Sequence, residues 1–186
     1  YANAGALFKL SRFANLHLKL TTHNVRESKL GQSRQADWIQ EVCEASGRSG
    51  LVYSRRGYGG SESIDDVRGK NRLPADYMHQ EAWQVLPELL KVCGISRPVL
   101  VGHSDGASIA LLHAARHQVS GVVVMAPHLF VEDISLRSIE AAKHAFEHGD
   151  LRERLSRFHA DVECAFWQWN DVWLSEAFRT FDIRQE

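Results

Sequence analysis

A chain of 186 residues, 44 % of them hydrophobic, is long enough for one domain with a buried core. Its 22 basic and 23 acidic side chains leave a formal net charge of −1, which offers no basic surface for nucleic acid or anionic lipid. No apolar run approaches the about 18 residues needed to span a bilayer, so no membrane partner is expected.

The first 26 residues lack any acidic side chain but carry Lys9, Arg12, Lys19 and Arg26. That pattern resembles an organelle transit segment, yet the chain begins with Tyr1, and a divergent or non-native amino end is the preferred reading of residues 1–31. Leu16 to Leu20 alternates with period two and predicts a short strand. Gln32 to Ser46 predicts a helix with Ala36, Ile39, Val42 and Cys43 on one face and Gly47 as its stop. Gly50 to Ser54 predicts a short buried strand. It runs into the turn Arg55 to Ser61, whose glycines suit a strand exit at positive φ. Pro74 to Val92 predicts a helix, with Met78, Ala82, Val85, Leu86 and Leu89 on one side and a kink or restart at Pro87.

A second apolar strand, from Pro98, then feeds Gly102-His103-Ser104-Asp105-Gly106, and a helix through His117 follows at once. The strand Gly121 to Ala126 comes next. Apolar strands alternating with helices predict a parallel sheet covered on both faces. Beyond Ile134 the pattern turns helical and charged, with helices expected at Ser138–His148, Asp150–His159 and Val162–Phe181. Trp167, Trp169 and Trp173 cluster there at helical spacing, which points first to packing.

Gly-His-Ser-Asp-Gly between a strand and a helix has the order of a nucleophile elbow. The serine of such an elbow sits in a strained turn, and residues two before and two after it must be tiny. Nothing larger than alanine or serine is expected to fit at Gly102 or Gly106. Ser104 is thus the candidate nucleophile. The Asp105 N–H, at the positive end of the following helix, is the candidate oxyanion donor. The plainer alternative is that Ser104 only caps that helix.

These features resemble the α/β-hydrolase superfamily, and the resemblance covers roughly Gln32 to Ile183. Tyr53 to Ser61 is similar to the family's D-x-R-G-x-G-x-S turn, Gly102 to Gly106 to its elbow, and Met125-Ala126-Pro127-His128 to the close of its next strand. Gly149 to Arg152 and Phe166 to Trp173 resemble the helical cap of esterase-like members. The resemblance implies a partial α/β-hydrolase fold, a mostly parallel sheet with flanking helices. It divides the chain into 1–31, a hydrolase core at 32–133 and a helical cap at 134–186. It also implies a substrate pocket with His103, His128 and Trp169 at its wall, and neither metal nor organic cofactor.

Two departures bear on activity. The region Thr22 to Arg26 has no glycine beside His23, where the family places a second oxyanion donor. The family's triad acid and histidine follow the cap, and the chain ends at Glu186, within or just past it. Glu132 or Asp133 is a candidate acid, and His128 as base demands a new geometry. The histidine pairs 113/117 and 144/148 have helical spacing but lack the glutamate of H-E-x-x-H. Cys43, Cys93 and Cys164, odd in number and widely spaced, read as thiols of a reducing, cytoplasmic compartment.

The leading expectation is a serine hydrolase of a small-molecule ester, thioester or related acyl bond. A carbon–carbon hydrolase shares the elbow, while a haloalkane dehalogenase needs a carboxylate where Ser104 stands. The alternative is a non-catalytic remnant or fragment serving as a binding or assembly module, pairing with a second copy through an exposed sheet edge.

Overall fold

The computed structural model describes residues 50–186. The expected strand at Leu16–Leu20, the helix at Gln32–Ser46, the loop Thr22–Arg26 and Cys43 lie outside the described residues. The chain forms two compact units: one holds residues 50–53, Met78–His128 and Glu186, the other Ser54–Tyr77 and Leu129–Gln185.

The first unit is built on a βαβ step. Strand β1 (Val99–His103) and strand β2 (Gly121–Met125) pair in parallel, with Val99 opposite Gly121 and His103 opposite Met125. Val99, Leu100 and Val101 are all buried, as an unbroken apolar run in a parallel sheet should be. The helix that links the strands spans Asp105–Arg116 and buries Ala107, Ile109, Ala110 and Leu112.

Before β1 come α1 (Tyr77–Gln80), a π turn (Glu81–Val85) and α2 (Leu86–Val92); the linking helix is α3. A single helix from Pro74 to Val92 was the expectation, and Pro87 accounts for the difference. A proline has no N–H to give the carbonyl four residues back and clashes with it, so the preceding turn widens to π spacing. The wider turn rotates Val85 off the buried face that keeps Met78, Ala82 and Leu86, leaving it 49 % exposed. The π turn also gains side-chain partners: His113 Nδ1 lies 2.8 Å from the Ala82 carbonyl, and Trp83 Nε1 donates to the Leu112 carbonyl at 2.9 Å.

The strand expected at Gly50–Ser54 is absent, since these residues make no ladder pairing among the described residues. Leu51 and Tyr53 instead line an apolar hollow with Leu86, Leu89 and Ile109, and Tyr53 Oη donates to Glu81 at 3.1 Å. A short apolar run has no period that tells a strand from another core segment.

The second unit contains α4 (Asp133–His148), α5 (Leu151–Ser156), α6 (Val162–Trp173) and a 3-10 turn (Ala177–Thr180). Asp161 caps α6 by accepting the Cys164 N–H at 2.9 Å. The helix expected to run to Phe181 stops at Trp173, where Ser175 Oγ donates to the Val172 carbonyl at 2.7 Å and accepts the Phe178 N–H at 3.3 Å. Such local serine bonds compete with helix propagation. Phe146 stacks on Phe166 with ring centres 3.8 Å apart, and Trp167 meets both edge-on. The turn Ser54–Ser61 belongs to this unit because His159 Nδ1 accepts the Gly59 N–H at 2.9 Å and the Ala160 N–H reaches the Gly59 carbonyl at 2.8 Å. Among the described residues no helix is long and apolar enough to cross a membrane.

Candidate functional site

Ser104 stands between β1 and α3 with φ 54° and ψ −126°, a conformation that non-glycine residues adopt only under constraint. The constraint is visible in the main chain. The Ser104 N–H donates to the Met125 carbonyl at 3.0 Å, and its own carbonyl accepts the Ala107 and Ser108 N–H groups at 2.8 and 3.2 Å. Strand and helix thus hold the serine from both sides. Its side chain makes no capping bond to α3, which argues against a purely capping role.

The adjacent strand ends in a similar way. Ala126 takes φ 46°, again left-handed, and Pro127 follows. This turn carries His128 back toward α3, where His128 Nε2 comes 3.0 Å from Ser104 Oγ. Ser108 Oγ completes the arrangement, donating to the His128 carbonyl at 2.7 Å and accepting the His128 N–H at 2.9 Å. A neutral imidazole with its proton on Nδ1 can accept the serine proton at Nε2 as the oxygen attacks an electrophile.

The other candidates fall as follows. His103 is half-buried at the end of β1. Asp105 opens α3 with its side chain buried at 7 % exposure, and its N–H adjoins Ser104 at the positive end of the helix. Trp169 lies in the second unit, half-buried and edge-on to Phe166 with ring centres 5.8 Å apart. Glu132 and Asp133 are exposed where α4 begins. Gly57 and Gly59 take φ 79° and 60°, the positive values expected for the turn after Ser54. His113 and His117 stack with ring centres 4.4 Å apart, and burial pulls the His113 pKa below its ordinary value, against a smaller upward pull from the Ala82 carbonyl. Among the described residues no group of three or more His, Cys, Asp or Glu side chains is placed to hold a metal ion.

Sequence reasoning did not single out Ser108. The available signal was its place four residues after Ser104, a lone hydroxyl in the otherwise apolar run Ala107 to Leu112 of the helix.

A model of the alpha/beta hydrolase family matches residues 33–184. Epoxide hydrolase 3 of Xenopus tropicalis is 37 % identical over 95 residues, which are 49 % of this chain and 24 % of that protein. The match therefore spans about a quarter of the relative's length. No solved structure matches significantly.

Proposed function

This chain belongs to the α/β hydrolase family, and on that premise we propose that it is a serine hydrolase of an ester, thioester or related acyl bond, with Ser104 as nucleophile and His128 as its base. The observation that carries the proposal is the 3.0 Å contact between Ser104 Oγ and His128 Nε2. As Ser104 Oγ bonds to the substrate's carbonyl carbon, its proton passes to His128 Nε2. The Asp105 N–H donates to the oxyanion that forms. The tetrahedral adduct collapses, the protonated His128 gives its proton to the departing alcohol or thiol, and an acyl-serine remains. Water then attacks the acyl carbon and loses its proton to His128, which passes it to Ser104 Oγ as the acyl–oxygen bond breaks, so the acid leaves with Ser104 and neutral His128 restored.

The relative's name raises a second substrate class, and the chemistry of Ser104 weighs against it. A serine oxygen that opened an epoxide would form an ether, which water does not cleave under these conditions. An acyl-serine is an ester and turns over. A role as non-catalytic remnant is less well supported, because a strained serine with an imidazole nitrogen 3.0 Å from its hydroxyl is an arrangement suited to nucleophilic chemistry. Cys93 and Cys164, both free thiols, support a reducing, cytoplasmic setting.

Turnover of p-nitrophenyl acetate by the purified chain tests the proposal. Slow hydrolysis that falls to the buffer rate in Ser104→Ala, with an acetyl group trapped on Ser104, is the expected outcome. Hydrolysis that survives Ser104→Ala would refute it.

A further inference from the structure

Ser108 binds both main-chain polar groups of His128 with a single hydroxyl. That oxygen has one proton and two lone pairs, so one donated and one accepted bond use most of its capacity. The residue is 0 % exposed and sits among Ala107, Ile109 and Ala110, where an unmatched hydroxyl would be costly. A small apolar residue would be the ordinary choice for such a position. The pairing also has a geometric consequence. Ser104 immediately precedes α3 and its carbonyl accepts the Ser108 N–H at 3.2 Å, so the first turn of one helix ties the nucleophile to the residue that holds the main chain of the histidine that meets it. Nε2 stands at the far end of the imidazole, and a displaced His128 backbone would carry it away from Ser104.

We infer that Ser108 is a positioning residue, which sets the distance between His128 Nε2 and Ser104 Oγ. The inference rests on the reading of His128 as base to Ser104. Hydroxyl loss at Ser108 leaves nucleophile and base chemically intact but lets the His128 main chain shift, so the reaction slows through geometry alone.

The test is a double-mutant cycle read by the rate at which a fluorophosphonate labels Ser104. Ser108→Ala should slow labelling by about 10- to 100-fold, the scale of a misplacement near 1 Å. In a His128→Ala background the same substitution should change the rate by less than about twofold, because there is no longer a base to misplace. An equal slowing in both backgrounds would overturn the positioning role and leave the His128 reading intact. An unchanged rate in Ser108→Ala would do the same. An unchanged rate in His128→Ala alone would overturn the base assignment itself, and this inference with it. Should Ser108→Ala fail to fold by circular dichroism, Ser108→Cys keeps the volume with a weaker hydrogen-bonding group. It should label measurably more slowly than the parent, and parental labelling by that variant would overturn the inference.

Discussion

Gly102 and Gly106 cross main chain to main chain. A Cβ placed on Gly102 would collide with the Gly106 carbonyl oxygen and lie 2.6 Å from the Ala107 nitrogen. The crossing is thus tighter than the sequence suggests, because alanine at Gly102 already strikes backbone atoms that cannot rotate away. Gly102→Ala should cost about 1–3 kcal/mol, in the range of overpacking. Thermal denaturation would read this as a fall of roughly 2–12 °C for a chain of this size. A melting curve identical to the parent's would contradict the crossing.

His113 and His159 make the chain sensitive to acid. Burial lowers both pKa values below the ordinary 6.5, so each is neutral when folded and takes up a proton more readily when unfolded. Stability from these groups is therefore full above about pH 6.5 and is lost as pH falls from there toward the folded values. Urea midpoints should decline between pH 7.5 and 5.5. His113→Phe should flatten that decline while lowering stability at pH 7.5 by about 1–3 kcal/mol, since the Ala82 carbonyl loses its partner. An unaltered pH slope in His113→Phe would count against the assignment.

Arg68 organises α6 by geometry as much as by charge. Its guanidinium lies 3.6 Å from the centre of the Trp167 ring, and its Nε and Nη2 reach Asp171 at 2.9 and 3.4 Å. Asp171 is nearly buried, with Arg72 at 3.5 Å as a further partner. A lysine offers neither the fork nor the flat face. Arg68→Lys should lose about 0.5–1.5 kcal/mol despite keeping the charge, because the half-exposed side chain gives up its second bond to Asp171 and its flat contact with Trp167. Chemical denaturation of Arg68→Lys beside Arg68→Met tests this, and a lysine variant as stable as the parent would refute it.

The elbow was legible in the sequence because its requirements are local: an apolar strand, glycines on either side of Ser104, and a helix directly after. The parallel pairing of β1 and β2 was legible for the same reason, through two unbroken apolar runs joined by one helix. The contact from His128 to Ser104 was not. It spans 24 residues and depends on Ala126 entering a left-handed conformation that its side chain does not advertise. The grouping of Ser54–Tyr77 with the later helices was hidden likewise, since the bond from Gly59 to His159 spans 100 residues. The π turn before Pro87 falls between these cases: the proline announced a disturbance, but the direction in which Val85 would turn needed the structure.

The most direct test of the Ser104–His128 pair is fluorophosphonate labelling followed by peptide mass analysis, with Ser104→Ala and His128→Ala in parallel. The adduct should sit on Ser104, vanish in Ser104→Ala, and form at least about 100-fold more slowly in His128→Ala, as expected when a general base is removed. An adduct elsewhere, no adduct at all, or an undiminished rate in His128→Ala would contradict the account.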